Sequence, residues 1–181
     1  MEIIPPNNKL SEEASDFFNR LKDYLDTKLY FYGSILRSDY IQGKSDIDVA
    51  IFTENETRTI SQLSGFLHIS KQKFKRIVIQ KFSNSTLIHG YKITYDDEEN
   101  SLKVEFSIYN EKNKSEILQI HLSKSNLPIH ASVFLWILKT LFYHLQLISL
   151  ESYRFLKNKA LSLLIGIPEN KFVKYNIIKL I

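Results

Sequence analysis

The sequence predicts an α/β fold of the α+β kind, a mixed sheet flanked by helices and followed by a C-terminal helical segment. Three observations predict it. Residues 31–52, FYGSILRSDYIQGKSDIDVAIF, read as two short apolar strands joined by a Gly-Ser turn, a few helical residues and a Gly-containing loop. Residues 87–109 alternate apolar and polar on both sides of Asp96–Asn100, as a hairpin does. Apolar residues at helical spacing precede the first strand and follow the last. A chain of 181 residues suits one domain, or one with a small helical appendage. The division read is residues 1–125 for the sheet-bearing domain and 126–181 for a helical segment packing on it.

Taken in order, residues 1–10 are a polar, Pro-containing lead. Ser11 followed by Glu12 and Glu13 reads as an N-cap with acids in the first turn. Ala14, Phe17, Phe18, Leu21 and Leu25 then recur at helical spacing, which predicts a helix over 12–26. Leu29–Tyr32 is the first strand. After the second strand and a polar loop, residues 59–70 read as a helix with Ile60, Leu63, Phe66 and Leu67 inward and Gly65 as its weak point. Beyond the 87–109 hairpin, Ser115–Leu122 is a short helix and Ser125–Pro128 breaks it. A long apolar helix starts at His130 or Ser132, and a last one runs from about Leu150 to Ile165, stopped by Gly166-Ile167-Pro168. Residues 169–181 form a basic, apolar tail that could dock a partner.

Hydrophobic content of 44% and charged content of 24% are an ordinary globular balance. With no cysteine, disulfides and thiolate zinc sites are excluded. The start, MEIIPPNNKLSEE, lacks a basic region followed by an apolar run, so it does not read as a signal peptide, and an intracellular protein is expected: cytoplasmic, organellar or in a viral host cell, not secreted. Ala131–Leu150 is apolar, but Lys139 near its middle argues for a buried core helix over a membrane span. The five histidines are scattered, and none pairs at i, i+4 with another, so structural or surface roles are expected. A net charge of +4 favours polyanionic partners. Between Thr57 and Tyr95 there is no acid. Lys71, Lys73, Lys75, Arg76 and Lys81 in that stretch could track a nucleic-acid backbone, or form a solvated basic face with no ligand.

The chemistry concentrates at the second strand, which opens Ser45-Asp46-Ile47-Asp48. Acids at i and i+2 on a strand face the same way, about 7 Å apart along the backbone, and can share divalent cations. Ile47 and Val49 face the other way, into a core. Gly33-Ser34 can offer backbone N–H groups and a hydroxyl to a phosphate. Together Asp46, Asp48 and Gly33-Ser34 are parts for metal-assisted phosphoryl or nucleotidyl transfer. Glu105 sits inside an apolar strand between Val104 and Phe106 and alternates with Lys103, which by itself favours a Glu on the solvent face of an edge strand.

Gly33-Ser34 followed by Asp46-x-Asp48 resembles the signature of the polymerase-β-like nucleotidyltransferase superfamily. The resemblance implies a nucleotidyltransferase palm, two Mg²⁺ (or Mn²⁺) ions held by Asp46, Asp48 and a third acid matched here by Glu105, and an NTP substrate. Within the superfamily the order of features is nearest to noncanonical poly(A) polymerases and terminal uridylyl transferases. That implies template-independent addition of AMP or UMP to an RNA 3′ end. By the same resemblance Asn113 approaches the ribose, Lys139 reaches the triphosphate, Ser152 touches phosphate and Tyr153 stacks on the base.

The sequence also departs from that pattern. Glu stands where Asp is commoner, and Arg37-Ser38 replaces the usual Thr-Gly. Arg after Gly-Ser-x-x is closer to minimal nucleotidyltransferases of the toxin–antitoxin kind. A protein, tRNA or small-molecule acceptor is therefore the alternative, and an inactive scaffold or RNA-binding subunit the third reading. The chain is much shorter than a full poly(A) polymerase, so base-selecting elements could come from a protein partner subunit.

Overall fold

The computed structural model describes residues 9–80, 87–125 and 128–165. The basic position Lys81 and the apolar tail at 169–181 lie outside the described residues. Helix α1 spans Glu12–Leu25, with the Ser11 side chain accepting from the Ala14 N–H, so the expected N-cap forms. Strand β1 is Leu29–Tyr32, followed by a 3₁₀ turn at Gly33–Leu36; β2 is Ile47–Thr53 and α2 is Glu56–Phe66. Then come β3 (Lys75–Gln80), β4 (Leu87–Asp97) and β5 (Leu102–Asn110), and helices α3 (Lys114–Ser125), α4 (Ile129–Tyr143) and α5 (Leu150–Ile165).

The five strands form one mixed sheet in the order β1-β2-β5-β4-β3, with β2 and β5 parallel and the other neighbours antiparallel. Strand alternation splits its side chains into two cores. One face carries Phe31, Ile47, Val49, Ile51, Val104, Phe106 and Ile108, buried with Phe17, Phe18, Leu21 of α1 and Leu63 of α2. The opposite face carries Tyr30, Tyr32, Ala50, Phe52, Ile77, Ile79, Ile88 and Tyr109, buried with Ile117 of α3.

Two expectations shift, and one unassigned stretch becomes a strand. Helix α2 begins earlier than 59, because the Asn55 side chain caps it by accepting from Arg58 N–H, and it ends before 70, where His68 takes a positive φ of 53°. Residues 75–80 are a strand, paired with β4 at the sheet edge. The apolar stretch 131–150 is not a buried helix throughout. Helix α4 buries Ala131, Ser132, Leu135, Leu138 and Lys139 on one stripe and leaves Val133, Phe134, Trp136 and Ile137 exposed. Among the described residues, no helix is long and apolar enough to cross a membrane.

Candidate active site

Parallel pairing of β2 with β5 puts Asp48 and Glu105 directly side by side on the second face. On the other side of Asp48 the register partner is Tyr32 of β1. Tyr32 is fixed twice over. Its hydroxyl is 3.2 Å from the Ser107 hydroxyl, and its ring stacks on the buried His121 ring of α3 at 3.7 Å. His121, expected in a structural or surface role, is buried here against the Tyr32 ring.

The backbone turn after β1 presses on the same carboxylate. Gly33 has φ +74°, and a Cβ built there would lie 2.0 Å from Asp48 Oδ2. Glycine is required on both counts, by conformation and by contact. The Gly-Ser turn and the second acid of Asp-x-Asp are thus one packed unit.

Asp48 carries the clearest electrostatic signature of the molecule. Burial pushes its carboxyl up to about 7, and the neighbouring Glu105 charge, with a smaller effect of Asp46, adds to this; Lys92 and Lys157 oppose it. Burial disfavours the charged form of this carboxyl more than the nearby lysines favour it. Asp46, just before β2, is half-exposed and lies 3.4 Å from Lys103 Nζ. Glu105 Oε1 lies 2.5 Å from Lys92 Nζ. As these side chains lie, no group of three or more acids or histidines among the described residues is placed to hold a metal ion. The chemistry of the donor set nevertheless fits a hard divalent cation. It consists of carboxylate oxygens only, gathered on neighbouring strands, with one member destabilised in its charged form.

The remaining sequence-predicted residues fall in different places. Lys139 is buried: its Nζ donates to the Asp39 carbonyl at 2.8 Å and to Ser45 Oγ at 3.1 Å, and pairs with Asp39 Oδ2 at 3.1 Å. Arg37 forks onto the same carboxylate through Nε at 2.7 Å and Nη2 at 3.1 Å. Burial would raise the Asp39 carboxyl, but Arg37 and then Lys139 hold it below the usual range. Desolvation lowers the Lys139 ammonium, and Asp39 resists that. The Lys139 ammonium is taken up by Asp39 and Ser45. It ties α4 to the loop that delivers Asp46. Arg37, the departure from the Thr-Gly pattern, is spent on the same buried network.

Tyr153 is buried in the α4–α5 seam, stacked on Phe142 at 4.8 Å, so its ring is occupied by protein and not open to a base. Ser152 is exposed in the first turn of α5, and its N–H donates to Ser149 Oγ at 3.2 Å. Asn113 ends a 3₁₀ turn at the far end of β5. Glu105 and Asn110 are five residues apart on that strand, roughly 17 Å at 3.3 Å per residue, so Asn113 is not brought to the acids. Of the basic stretch, Lys75 is the register partner of Lys92 and shares its face. Lys71 and Lys73 are exposed just ahead of it. Arg76 pairs with Tyr91, which packs on the other core, so alternation turns Arg76 to the opposite face.

Sequence reasoning missed Lys103, Lys157 and Asp39 as site residues and placed Lys92 only in the acid-free basic stretch. Lys103 was visible only as alternation with Glu105; the place of both lysines beside the acids needs the β4–β5 register. Lys157 needs the return of α5 towards the sheet, which no local pattern encodes.

A family model described as a nucleotidyltransferase domain matches residues 11–127, and the acids, Gly33 and Ser34 all lie inside that span. No curated protein matches the chain. Among solved structures, a cytoplasmic RNA terminal U-transferase is 18% identical with a TM-score of 0.40, covering 78% of this chain and 44% of that one. Cid1, an RNA terminal uridylyl transferase, is 18% identical with a TM-score of 0.38, covering 74% of this chain and 43% of that one. The chain thus spans less than half the length of either.

Proposed function

The chain belongs to the nucleotidyltransferase domain family, and on that premise we propose that it is a divalent-metal-dependent, template-independent enzyme that transfers AMP or UMP from an NTP to an RNA 3′ end. The observation that carries this reading is the packed unit of Gly33, Asp48 and Glu105. A positive-φ turn packs on Asp48 and parallel register sets Glu105 beside it, while burial and the Glu105 charge raise the Asp48 carboxyl. Carboxyls perturbed in this way concentrate at functional sites.

Asp46, Asp48 and Glu105 would hold the ions. When bound, Mg²⁺ or Mn²⁺ supplies charge neutralisation for the triphosphate and lowers the pKa of the attacking 3′-hydroxyl. The hydroxyl oxygen bonds to the α-phosphorus as the bond to the pyrophosphate oxygen breaks. Asp48 must give up its proton before it can act as a ligand, which its raised pKa makes a step near neutrality. Gly33 and Ser34 flank the acids where backbone N–H groups and a hydroxyl can meet the triphosphate. Lys157, whose charge acts on Asp48 from α5, is the cation for the departing pyrophosphate in place of the committed Lys139. Lys75, Lys73 and Lys71 extend from Lys92 towards the sheet edge and would guide the acceptor strand.

Arg37 was the residue that favoured a small-molecule or protein acceptor. Its engagement with Asp39 leaves it silent on the acceptor. The test is incubation with Mg²⁺ or Mn²⁺, a labelled single-stranded RNA and each NTP in turn. Extension with one NTP supports the reading and names the base. Label on protein or a small molecule, with RNA unextended, replaces it with the alternative acceptor.

A further inference from the structure

Lys92 occupies Glu105 where a metal ligand would have to be free. It lies on β4 two residues from Thr94, the register partner of Glu105 on β5, and such diagonal neighbours are about 7–8 Å apart, within reach of long side chains. The resulting pair is close at 2.5 Å, and its two side chains are only 24% and 26% exposed. The second lysine–acid pair, Lys103 with Asp46, is looser at 3.4 Å and about half-exposed, the kind of contact that contributes little. Each pair takes up one carboxylate of the candidate cluster, Glu105 by Lys92 and Asp46 by Lys103. On β3 the register partner of Lys92 is the like charge of Lys75, and the Lys92 charge also acts on Asp48.

We propose that Lys92 is a resident counter-ion of the carboxylate site, which a divalent cation must displace from Glu105 in order to bind. The inference rests on the metal-dependent reading above. It makes Lys92 a positioning residue that holds Glu105 in the metal-free state and sets the affinity for the ion. Displacement exchanges one ammonium for a doubly charged cation on the same oxygen. It leaves Lys92 beside Lys75 and still within the influence of Asp48.

The experiment is Mn²⁺ binding to the intact chain without nucleotide, followed by electron paramagnetic resonance of the free ion. Lys92→Met should bind Mn²⁺ about tenfold tighter than wild type, the scale of a partly buried pair removed, and Lys103→Met within about twofold. In parallel, amine-reactive labelling of the wild type is mapped by mass spectrometry. Lys92 should label several-fold faster with saturating Mn²⁺, while the exposed Lys71 is unchanged. This arm needs no variant to fold. Unchanged or weaker binding by a folded Lys92→Met, or unchanged Lys92 labelling at saturating Mn²⁺, overturns the proposal while the metal-dependent reading stands. Absence of Mn²⁺ binding in wild type and variants alike sinks both.

Discussion

Gly33 lies so close to Asp48 that a single added carbon would sit 2.0 Å from Asp48 Oδ2. The residue is fixed by the acid it faces as much as by its φ of +74°. Gly33→Ala should therefore act on chemistry more than on folding. An alanine in left-handed backbone costs roughly 1–2 kcal/mol, which would appear as a drop of several degrees in Tm. Displacing Asp48 by an ångström should lower nucleotide transfer by about 100-fold or more. Thermal melting and primer extension on the same preparation separate the two effects.

The pairing of Asp48 with Glu105 also predicts a pH signature. The folded-state pKa of Asp48 is raised, to about 7, so protonation favours the folded state. The linked stability is fully present below the unfolded pKa, near 4, and is lost as pH rises through about 7. Without metal, Asp48→Asn should thus melt above wild type at pH 8. A gain of about 2 kcal/mol is expected after discounting the full shift for partial solvent access, and none at pH 4. Mn²⁺ affinity of the wild type should weaken as pH falls below 7, since ligand and proton compete for the same oxygens. Melting curves and metal titrations at pH 4, 6 and 8 check both.

Much of this arrangement was legible in the sequence, and the boundary of legibility is physical. Ser11 capping α1 and the alternation of β4 and β5 are local patterns, and the structure forms both; of Asp46-x-Asp48 only Asp48 lies on β2, which begins at Ile47 just after Asp46. Glu105 was ambiguous by alternation alone, because the register that sets it beside Asp48 is a contact between residues 57 positions apart. The long-range partners stayed hidden for the same reason. The resemblance aimed Lys139 at a triphosphate, and its partner Asp39 was not legible because it lies a hundred residues earlier in the chain. Tyr153 looked available because its stacking partner Phe142 belongs to the preceding helix.

The network of Arg37, Asp39 and Lys139 predicts an asymmetry between its members. Asp39→Ala strands two cations around a buried position and should cost about 3–5 kcal/mol. Lys139→Met leaves Asp39 paired with Arg37 and should cost less, about 1–2 kcal/mol, with the methionine filling most of the lysine's volume. If Lys139 served the triphosphate, Lys139→Met would instead raise KM for NTP with little change in Tm. Denaturant unfolding and NTP titrations, run side by side, decide between tether and ligand.

Lys157 offers the converse case. It is partly exposed on α5 and acts on Asp48 through its charge. Lys157→Ala should leave Tm within a degree or two and raise KM for NTP by about tenfold, the loss of one charge-assisted phosphate contact. An unchanged KM would remove Lys157 from the substrate path.

The most direct test of the central claim is primer extension by the double variant Asp46→Ala/Asp48→Ala against wild type, with Mn²⁺, labelled single-stranded RNA and each NTP. Circular dichroism should first show that both proteins are folded. The account predicts extension by wild type with at least one NTP, abolished in the folded double variant and by chelation of the metal. Extension by the double variant at the wild-type rate would contradict it.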